Sequence, residues 1–455
     1  MVDAPLGNGT VADDVYYQAN FTSDFGEISK VLPREPFAIP AHSTQKQLNE
    51  ILQSAVTAEE YEGVEFDFLI EDKLLRVPLF EYVGERQLNV ENVLEIKCVI
   101  REPSPQPDES VSCDDWVGCV RALALHHSAA VAVLVGCYDG SVAAYGKQAT
   151  AGFQKRFSKL QHSDAVKSLE LINSPSSSSK NDSLDQLLYA TGSTDQTIVL
   201  WKGSTPVRSL RGHERSVECL SANPDGDRLL SGGFDTYLKI WDTSENAELS
   251  QPGAEADWGA TKKRRVSEQD RARLPTQTPM VTLRGHRDAV TGARFCGEAA
   301  GGSEALTVSW DHTMALWDLE LNGQKATFAA QRAFTCVDVH AHGKMAITGS
   351  TDRLARLWDV RSKEGSMVKQ SYQSHNGWIV DARWSTRRPH LFVTASFDHT
   401  VKMWDLRSNK APLYDLCGHA DRVLCVDWSV DELVVSGGAD SAIKSYTLPS
   451  APQYA

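Results

Sequence analysis

The stretch SGGFDTYLKIWD at residues 231–242 decides the fold of this chain. It places Asp235 six residues before Trp241, and the pair Gly212-His213 stands upstream of it. The same interval from an aspartate to an aromatic residue recurs along the chain as Asp139/Tyr145, Asp195/Trp201, Asp235/Trp241, Asp311/Trp317, Asp352/Trp358, Asp398/Trp404 and Asp440/Tyr446. A period of about 40 residues that ends in Trp-Asp indicates a chain built from repeated four-stranded units.

A closed ring of such units is a WD40 β-propeller, so the sequence predicts a mainly β fold with a seven-bladed propeller over residues 113–455. Two of the intervals are longer than the rest, and they indicate loop insertions at about residues 173–186 and 243–278. Both insertions have the polar composition of surface loops. Because the chain ends soon after Tyr446, we expect a strand from residues 102–120 to complete the last blade.

Four kinds of side chain recur at fixed places in the repeats, and we interpret them as a structural tie within each blade. A buried His, Ser or Thr, Asp and Trp can form a hydrogen-bonded chain in which each polar atom has a partner. An active site needs to occur once, whereas a structural tie has to recur. The predicted ties include His213, Ser231, Asp235, Trp241, His286, Asp311, Trp317, Asp352, Trp358, His375, Asp398, Trp404, His419 and Asp440.

Two repeats depart from this pattern. The fifth repeat has Ala333-Phe334-Thr335-Cys336 where a histidine is expected. The first repeat has Val135 in place of the Ser or Thr and Tyr145 in place of the Trp. We therefore expect the first and fifth blades to be less tightly tied than the others.

A second, smaller domain is predicted over residues 15–101. Strand-forming segments come first, and residues 43–52 then have the apolar spacing of one helical face, with Ser43 as the N-cap. Residues 64–70 and 93–100 alternate apolar and polar side chains, as half-buried strands do. This order is that of a small α/β ubiquitin-like β-grasp domain. Residues 1–14 are expected to be a flexible N-terminus, and the Pro-rich residues 102–112 a semi-extended linker.

The negative charge is concentrated in the N-terminal part of the chain. The net charge is −14; residues 1–110 hold 8 basic and 21 acidic residues, a balance of −13, and the other residues hold 38 and 39, a balance of −1. Such a domain is a poor ligand for nucleic acid and suits a basic or metal-bearing surface. A merely soluble acidic domain is an equally open interpretation.

Composition and motifs argue against an enzyme. No nucleotide-binding loop, zinc-ligand cluster or nucleophile motif stands out, so no intrinsic metal or cofactor is expected. The nine cysteines form no Cys-x-x-Cys pair, which favours reduced, buried thiols in a cytosolic or nuclear protein. No secretory signal or membrane-spanning run is evident. The basic run Lys262, Lys263, Arg264 and Arg265 is a candidate nuclear-import signal, with a solvated loop or an RNA contact as alternatives.

Residues 64–76, VEFDFLIEDKLLR, are similar to the N-terminal domain of Notchless-like proteins. Residues 114–117, DDWV, and the basic insertion resemble the family of WD-repeat ribosome-biogenesis subunits of the PeBoW complex. Members of that family work with pescadillo and the block-of-proliferation protein. The resemblance implies a non-enzymatic scaffold, required for large ribosomal subunit maturation and rRNA processing, in the nucleus, nucleolus and nucleoplasm.

The same resemblance implies how the N-terminal domain is used. In the family this domain docks on the metal-dependent adhesion site of the AAA ATPase midasin, which then releases the factor from pre-ribosomes. An acidic side chain completes the coordination of a Mg²⁺ that the ATPase holds, and the matching position here is Glu91. A hard cation with an open position accepts a carboxylate oxygen. The preceding residues, LNV, depart from the family's more usual Leu-Ser-Ser, and Glu85 and Glu95 are the nearest rivals.

The propeller is expected to bind the block-of-proliferation protein. Trp310, Phe397 and Trp378 are candidates for exposed aromatics on its binding face, and a packing role for each is equally open. Two other functions are alternatives to this one. One is a Notchless-type pre-ribosome factor, and the other is a WD40 substrate receptor of a ubiquitin ligase, for which no adaptor module is found.

Overall fold

The computed structural model describes two compact units, one within Met1–Ser104 and the other within Pro105–Ser450. None of the helices in the part of the chain that it describes is long and apolar enough to cross a membrane. The described residues are 15–23, 32, 36–55, 65–71, 73–86, 93–125, 130–148, 151–172, 184–244, 274–296, 302–340, 345–360, 368–408 and 411–449.

The N-terminal unit is a five-stranded sheet with two helices, which confirms the predicted β-grasp fold. Its strands run in the order β2-β1-β5-β3-β4, with β1 parallel to β5 in the middle of the sheet. The second helix was not predicted. The elements are β1 (Tyr16–Thr22), β2 (Phe37–Pro40), α1 (Gln45–Ala55), β3 (Phe66–Ile70), β4 (Lys73–Leu74), α2 (Leu79–Arg86) and β5 (Leu94–Ile100).

Helix α1 forms because its sequence supplies both an apolar face and a cap. Leu48 and Leu52 lie one turn apart and are fully buried in the core of the domain. Thr44 is the N-cap: its carbonyl accepts the Leu48 N–H at 2.9 Å, and its own N–H donates to Gln47 Oε1 at 2.9 Å. This is one half of a capping box, and the Thr44 hydroxyl donates to the same Gln47 oxygen at 3.1 Å. The prediction of Ser43 as the cap was wrong by one residue.

The second unit contains, among its described residues, seven antiparallel sheets that follow one another along the chain. The first four blades are β7 (Val117–Leu125), β8 (Ala130–Cys137), β9 (Ser141–Gln148) and β10 (Ala151–Leu160); β11 (Val166–Leu171), β12 (Leu188–Ser193), β13 (Thr197–Lys202) and β14 (Thr205–Arg211); β15 (Val217–Ala222), β16 (Arg228–Gly233), β17 (Tyr237–Asp242) and β19 (Val281–Arg284); and β20 (Val290–Cys296), β21 (Glu304–Ser309), β22 (Thr313–Asp318) and β23 (Gly323–Ala329).

The last three blades complete the predicted seven-bladed propeller. They are β24 (Phe334–Val339), β25 (Met345–Ser350), β26 (Leu354–Asp359) and β27 (Val368–Gln373); β28 (Ile379–Trp384), β29 (Leu391–Ser396), β30 (Val401–Asp405) and β31 (Tyr414–Leu416); and β32 (Val423–Val430), β33 (Leu433–Gly438), β34 (Ala442–Thr447) and β6 (Gln106–Ser112). The first strand of each blade contacts the first strand of the next, and β32 contacts β7, so the ring is closed.

Strand β6 closes the ring from the other end of the chain. It pairs antiparallel with β34, with Ser112 opposite Ala442 and Val111 opposite Ile443. The prediction that a strand from residues 102–120 completes the last blade is therefore confirmed. The prediction of a linker was wrong for residues 106–112, which belong to the propeller. A proline is tolerated there because β6 is an outer strand that needs hydrogen bonds on one side only.

The ends of both predicted insertions are ordered. Residues 184–186 form a short 3-10 turn before β12. Strand β18 (Thr276–Gln277) adds a fifth, parallel strand to blade 2, with Thr276 opposite Ser209. The prediction of a loop up to residue 278 was therefore wrong at its end. Residues 173–183 and 245–273, including Lys262–Arg265, lie outside the described residues.

Candidate functional site

The tie of blade 3 is a hydrogen-bonded chain that joins the connection before β15 to strands β16 and β17. His213 Nδ1 lies 2.8 Å from Asp235 Oδ2, and its Nε2 lies 2.7 Å from Ser231 Oγ. Trp241 Nε1 donates to the same Ser231 Oγ at 2.8 Å. A serine hydroxyl can accept the indole proton and donate its own proton to the imidazole. Each polar atom buried in the tie therefore has a partner.

The same chain of contacts recurs in four other blades. Across the five ties, His Nδ1 lies 2.8–3.1 Å from the aspartate, and His Nε2 lies 2.7–2.8 Å from the hydroxyl. The members are His162, Thr191, Asp195 and Trp201; His286, Thr307, Asp311 and Trp317; His375, Thr394, Asp398 and Trp404; and His419, Ser436 and Asp440. In blade 7 a tyrosine, Tyr446, stands in place of the Trp. The recurrence assigns these side chains to the architecture of the blades.

The aspartate of each tie also shapes the turn that follows it. Asp195 Oδ1 accepts the backbone N–H of Thr197 at 3.0 Å, an Asx-type turn. The residue after the aspartate adopts a positive φ, 71° at both Gln196 and Thr236. In blade 1 this position is Gly140, which adopts a φ of 88° without strain. One carboxylate thus fixes a hairpin with one oxygen and the tie with the other.

Charge in the ties sits on the aspartates. Burial alone would raise the pKa of Asp235, but the hydrogen bond from His213 and two backbone N–H donors hold that pKa below its usual value. The pKa of Asp440 is lowered in the same way. Burial lowers the pKa of His286 and His419, which therefore stay neutral at pH 7. The hydroxyl that contacts the histidine is fully buried in each of the five ties, so the His–hydroxyl pairs are closed to a substrate.

Blade 5 replaces the missing histidine with an arginine. Ala330 occupies the position of the histidine, and Arg356 on β26 pairs with Asp352 through both terminal nitrogens. The lower part of the tie is unchanged, since Trp358 Nε1 donates to Thr348 Oγ1 at 2.8 Å. The sequence pattern did not reveal this substitution, although Arg356 lies four residues after Asp352 and so could have been noticed.

Blade 1 has a thiol where the other blades have an imidazole. Cys113 stands four residues before the first residue of β7, as His213 stands four residues before β15. Its Sγ lies 3.6 Å from Tyr145 Oη, and its side chain packs against the buried cluster that contains Cys137. Val135 offers no hydroxyl at the usual place. The outer tie of this blade is therefore reduced to a thiol and a phenol.

A second polar network lines the centre of the propeller. The residue four positions after the start of each innermost strand points to a common ring, which reads Arg121, Glu170, Ser221, Arg294, Asp338, Arg383 and Asp427. Arg121 pairs with Glu170 at 2.7 Å and with Asp427 at 3.1 Å. Arg294 pairs with Asp338 at 2.8 Å and with Glu170 at 3.4 Å. Two of these ion pairs join consecutive blades, whereas Arg121–Asp427 joins blade 1 to blade 7 and Arg294–Glu170 joins blade 4 to blade 2.

The ring carboxylates also hold the backbones of adjacent blades. Asp427 Oδ2 accepts the Ala122 N–H at 2.8 Å, which joins blade 7 to blade 1. Asp381, two residues before Arg383, accepts the Val426 N–H at 3.1 Å and so joins blade 6 to blade 7. Burial raises the pKa of Asp381 to about 7, against the opposing charge of Arg121. The network had no counterpart in the sequence prediction.

Four of the cysteines occupy one structural position. Cys119, Cys219, Cys336 and Cys425 each lie two residues into an innermost strand, and all four are buried. Burial raises their pKa, to about 12 for Cys119 and Cys219. A glycine on the neighbouring strand leaves room for each sulfur, as Gly232 does for Cys219. These thiols pack as small apolar side chains and are chemically inert.

Exposed aromatic side chains gather at the end of the propeller where the innermost strands begin. Trp378 is 48% exposed, Trp310 39% and Trp116 38%. Trp378 stacks on the half-buried Phe397, with ring centroids 6.0 Å apart. The Arg422 guanidinium lies 5.5 Å from the Trp116 ring and 5.3 Å from the Phe397 ring, and so joins blades 6, 7 and 1 into one surface.

The structure describes only some of the residues predicted to bind partners or an import receptor. Glu91 lies outside the described residues, as does the basic run Lys262–Arg265. Of the rivals to Glu91, Glu95 is exposed on β5, and Glu85 belongs to α2. In the described portion of the chain, no group of three or more His, Cys, Asp or Glu side chains is placed to hold a metal ion.

Comparison with known proteins places both units in one family. The profile of the NLE (NUC135) domain matches residues 17–83, and that of the WD domain, G-beta repeat, matches residues 204–242, 277–318, 323–359, 366–405 and 410–447. A ribosome biogenesis protein WDR12 homolog from Brugia malayi is 42% identical over 429 residues, which are 91% of this chain and 92% of that protein. The chain belongs to the WDR12 family of ribosome biogenesis proteins.

Other members of the WDR12 family align over similar spans. The homolog from Anopheles gambiae is 34% identical and covers 96% of each chain. The homolog from Ixodes scapularis is 33% identical, over 91% of this chain and 95% of its own length. The predicted resemblance to WD-repeat ribosome-biogenesis proteins is thereby confirmed. The WD profile matches the repeats that contribute most of blades 3–7, whereas blades 1 and 2 are defined by the structure.

Proposed function

We propose that this chain is a non-catalytic scaffold in the maturation of the large ribosomal subunit, acting on pre-ribosomal particles in the nucleolus and nucleoplasm. The observation that carries the proposal is the alignment with WDR12 homologs across both units, at up to 42% identity. The ties support it, because their histidines are fully engaged in holding strands together. Scaffolding also suits a propeller, whose rigid blades present loops for partners.

The N-terminal domain is the part that docks on the ATPase midasin. In this proposal the Glu91 carboxylate completes the coordination of a Mg²⁺ held by midasin, which then releases the scaffold from the particle. The balance of −13 over residues 1–110 supports this role, since an acidic domain is attracted to a metal-bearing surface. The match of the NLE profile to residues 17–83 supports it as well.

Affinity purification of the full-length chain with Glu91→Gln tests this step. The amide is a weaker ligand for a hard cation than the carboxylate, so we expect the Mg²⁺-dependent recovery of midasin to fall at least about tenfold. Pescadillo and pre-ribosomal RNA should be recovered as before. Glu95→Gln is the matched control, because Glu95 is exposed on the nearby strand β5. Full recovery of midasin with Glu91→Gln would remove Glu91 from this role.

The propeller, in turn, binds the block-of-proliferation protein, and pescadillo joins the same complex. The surface around Trp116, Trp378 and Arg422 supports an interface, since exposed Trp and Arg residues dominate the binding energy of protein complexes. Stacking already holds these side chains in place, which reduces the conformational entropy that binding would cost.

Single substitutions on this surface test the proposal. Trp378→Ala is expected to weaken binding of the purified block-of-proliferation protein by at least about tenfold, the loss of a typical hot spot. Leu321→Ala is the control, because Leu321 is 81% exposed on a turn of blade 4. Titration by calorimetry gives both affinities. Equal affinities for the two variants would move the interface to another face of the propeller.

The basic run Lys262–Arg265 is proposed as the nuclear-import signal. Its four charges, in a polar insertion, fit an import receptor that reads clustered Lys and Arg. Replacing all four with alanine in a fluorescently tagged chain is expected to shift the protein to the cytoplasm. Fusion of a separate import signal should then restore the nuclear signal. Unchanged nuclear accumulation of the alanine variant would contradict this assignment.

A further inference from the structure

Blade 1 ends in a long fourth strand. Strand β10, Ala151–Leu160, has 10 residues, whereas the fourth strands of the other blades, β14, β19, β23, β27, β31 and β6, have between 3 and 7 in the described part of the chain. A long outer strand presents a row of backbone N–H and C=O groups with which another extended chain can pair. Short outer strands offer less of this template, so blade 1 differs from the other six blades.

The backbone of β10 has few partners besides β9, with which it pairs antiparallel. Among the described residues, its one further backbone hydrogen bond runs from Phe153 N–H to Glu109 Oε2 of β6, at 2.7 Å. From Gln154 to Leu160, the described residues that pair with the backbone all belong to β9. An acidic side chain therefore already binds the start of this strand, and the rest of its outer edge is free of described partners.

Blade 2 shows what an outer edge of this propeller accepts. Its fourth strand, β14, pairs in parallel with β18, which places Thr276 opposite Ser209 and Gln277 opposite Leu210. Strand β18 comes from the insertion that interrupts blade 3 and lies far from β14 in the chain. Strand addition of this kind gains affinity from main-chain hydrogen bonds and specificity from side chains. The described residues add no such fifth strand to β10.

The exposed side chains of β10 are basic. Lys155, Arg156 and Lys159 are all exposed, and residues 154–160 contain no acidic side chain. Lys155 pairs with Asp114 at 3.2 Å, whereas Arg156 and Lys159 have no acidic partner among the described residues. Like charges on paired strands destabilise the pairing and opposite charges stabilise it. This edge therefore disfavours a second copy of β10 and favours an acidic strand.

The same strand is poorly suited to nucleic acid. Its two aromatic side chains, Phe153 and Phe157, are half-buried and pack against the hydrophobic clusters between blade 1 and its neighbours. Proteins that bind single-stranded RNA present exposed rings on which the bases stack. Strand β10 presents no such ring, so its basic side chains fit a protein segment better than RNA.

We propose that β10 binds an extended, acidic segment of a partner protein, which adds a fifth strand to blade 1 along residues 154–160. Backbone hydrogen bonds along the outer edge hold the segment, and carboxylates opposite Arg156 and Lys159 select it. This edge belongs to an outer strand, whereas the surface around Trp116 lies where the innermost strands begin. The proposal is therefore independent of the partner proposed for that surface.

The test uses the purified full-length chain and a fluorescent peptide of alternating Glu and Val. A second peptide has the same sequence, but the amide nitrogens of its central residues are methylated, so it keeps the charge and loses backbone donors. By fluorescence anisotropy, wild type is expected to bind the first peptide at least about tenfold more tightly than the second. Amide hydrogen exchange within Ala151–Leu160, measured by mass spectrometry, should slow with the first peptide only.

Two charge-reversal variants show whether the basic side chains select the peptide. Arg156→Glu combined with Lys159→Glu should weaken binding of the unmethylated peptide at least about tenfold. Its melting temperature should match that of wild type, because both side chains are exposed. Lys325→Glu combined with Lys369→Glu is the matched control, since it makes the same change of charge on β23 and β27, and it should bind as wild type does.

Four results would overturn the proposal. Two of them are equal binding of both peptides to wild type and unchanged amide exchange within β10. The third is a single-stranded RNA of mixed sequence that binds more tightly than the acidic peptide, which would assign the edge to nucleic acid. The fourth is a wild-type dimer, seen by analytical ultracentrifugation, that the reversal of Arg156 and Lys159 dissociates, which would assign the edge to a second copy of the chain.

Discussion

Blade 3 and blade 1 are both four-stranded sheets, but different side chains hold their strands together. In blade 3 the outer tie is complete, from His213 through Ser231 to Trp241, while its position in the central ring is the small, uncharged Ser221. In blade 1 the outer tie is reduced to Cys113 and Tyr145. Its ring position is Arg121, with two ion pairs and only 7% of its side chain exposed.

This difference teaches that a blade can be anchored at its outer turn or at the centre of the propeller. The buried hydrogen bonds of the blade 3 tie lie within one sheet, so they fix this blade locally. Blade 1 directs its strongest polar contacts to blades 2 and 7, through Glu170 and Asp427. Because blade 1 is next to the ring closure, contacts between blades matter more there than contacts within the blade.

The largest effect is expected at the central ring. Arg121→Met should lower the free energy of unfolding by about 4 kcal/mol, because it leaves Asp427 buried without an ionic partner and Glu170 with only its longer pair to Arg294. Urea unfolding measures the change. Ser221→Ala, at the same position of blade 3, is the control and should cost about 1 kcal/mol, the value of its hydrogen bond from Phe295 N. Equal losses in the two variants would contradict the contrast between these blades.

For the outer ties we expect the reverse order, with a larger loss of stability in blade 3 than in blade 1. His213→Ala in blade 3 is expected to cost about 3 kcal/mol, since Ser231 and Asp235 lose a buried partner. Cys113→Ala in blade 1 should cost less than about 1 kcal/mol, because a half-buried thiol makes weak hydrogen bonds. Thermal unfolding of the two variants side by side, under reducing conditions, gives this ratio. A larger loss for Cys113→Ala would mean that blade 1 depends on its outer tie after all.

For the outer tie of blade 5 we expect a loss of stability between those of blade 3 and blade 1. Its tie keeps Thr348 and Trp358, while Arg356 compensates for the missing histidine. Arg356→Ala should therefore cost about 1.5 kcal/mol, the contribution of a charged hydrogen-bonded pair. Urea unfolding at low and high salt provides the measurement. Because the pair is largely buried, the loss of stability should persist at 0.5 M salt, where the Debye length is on the order of 4 Å. A loss of stability that disappears at this salt concentration would mean that the pair behaves as a surface ion pair.

The smallest effect is a dependence on pH at the central ring. The pKa of Asp381 is raised to about 7 in the folded chain, so its contribution to stability is present at low pH and is lost as pH rises through 7. Arg121, Arg294, Arg383 and Asp338 are the charged groups around it. Between pH 6.5 and 8, wild type should lose about 1 kcal/mol more than Asp381→Asn.

The Asn side chain can keep the hydrogen bond from Val426 N and has no proton to lose. Melting temperatures of both proteins across this range test the expectation. The lowered pKa of His286 and His419 affects stability below pH 6.5, where acid removes the benefit of their neutral forms, so the chosen range avoids that contribution. Parallel curves for wild type and Asp381→Asn would show that Asp381 stays charged throughout.

Much of the fold could be predicted, because its signals are local and repeated. The spacing of Asp235 and Trp241 follows from the length of one hairpin, and it recurs wherever a blade recurs. Strand β6 was expected because the last repeat is one strand short. The linker assignment of residues 106–112 was wrong because a Pro-rich, exposed edge strand has the composition of a linker. The second N-terminal helix, α2, is short and was missed.

The polar network at the centre could not be predicted in the same way. Arg121 and Asp427 are 306 positions apart in the chain, and they meet only because the ring closes. The cysteines seemed scattered for the same reason, although four of them share one place in the innermost strands. The candidate docking residue Glu91 stays a prediction, based on resemblance and on carboxylate chemistry.

The sequence by itself determined the repeat, the number of blades and the members of each regular tie, since these depend on side chains that lie within one sheet. Only the tertiary structure decided which blade is anchored where. It placed Cys113 in the position of a histidine, Arg356 beside Asp352 and Arg121 between two acids. The physical reason is that a buried polar group must find a partner, and any element that the fold brings close can supply it.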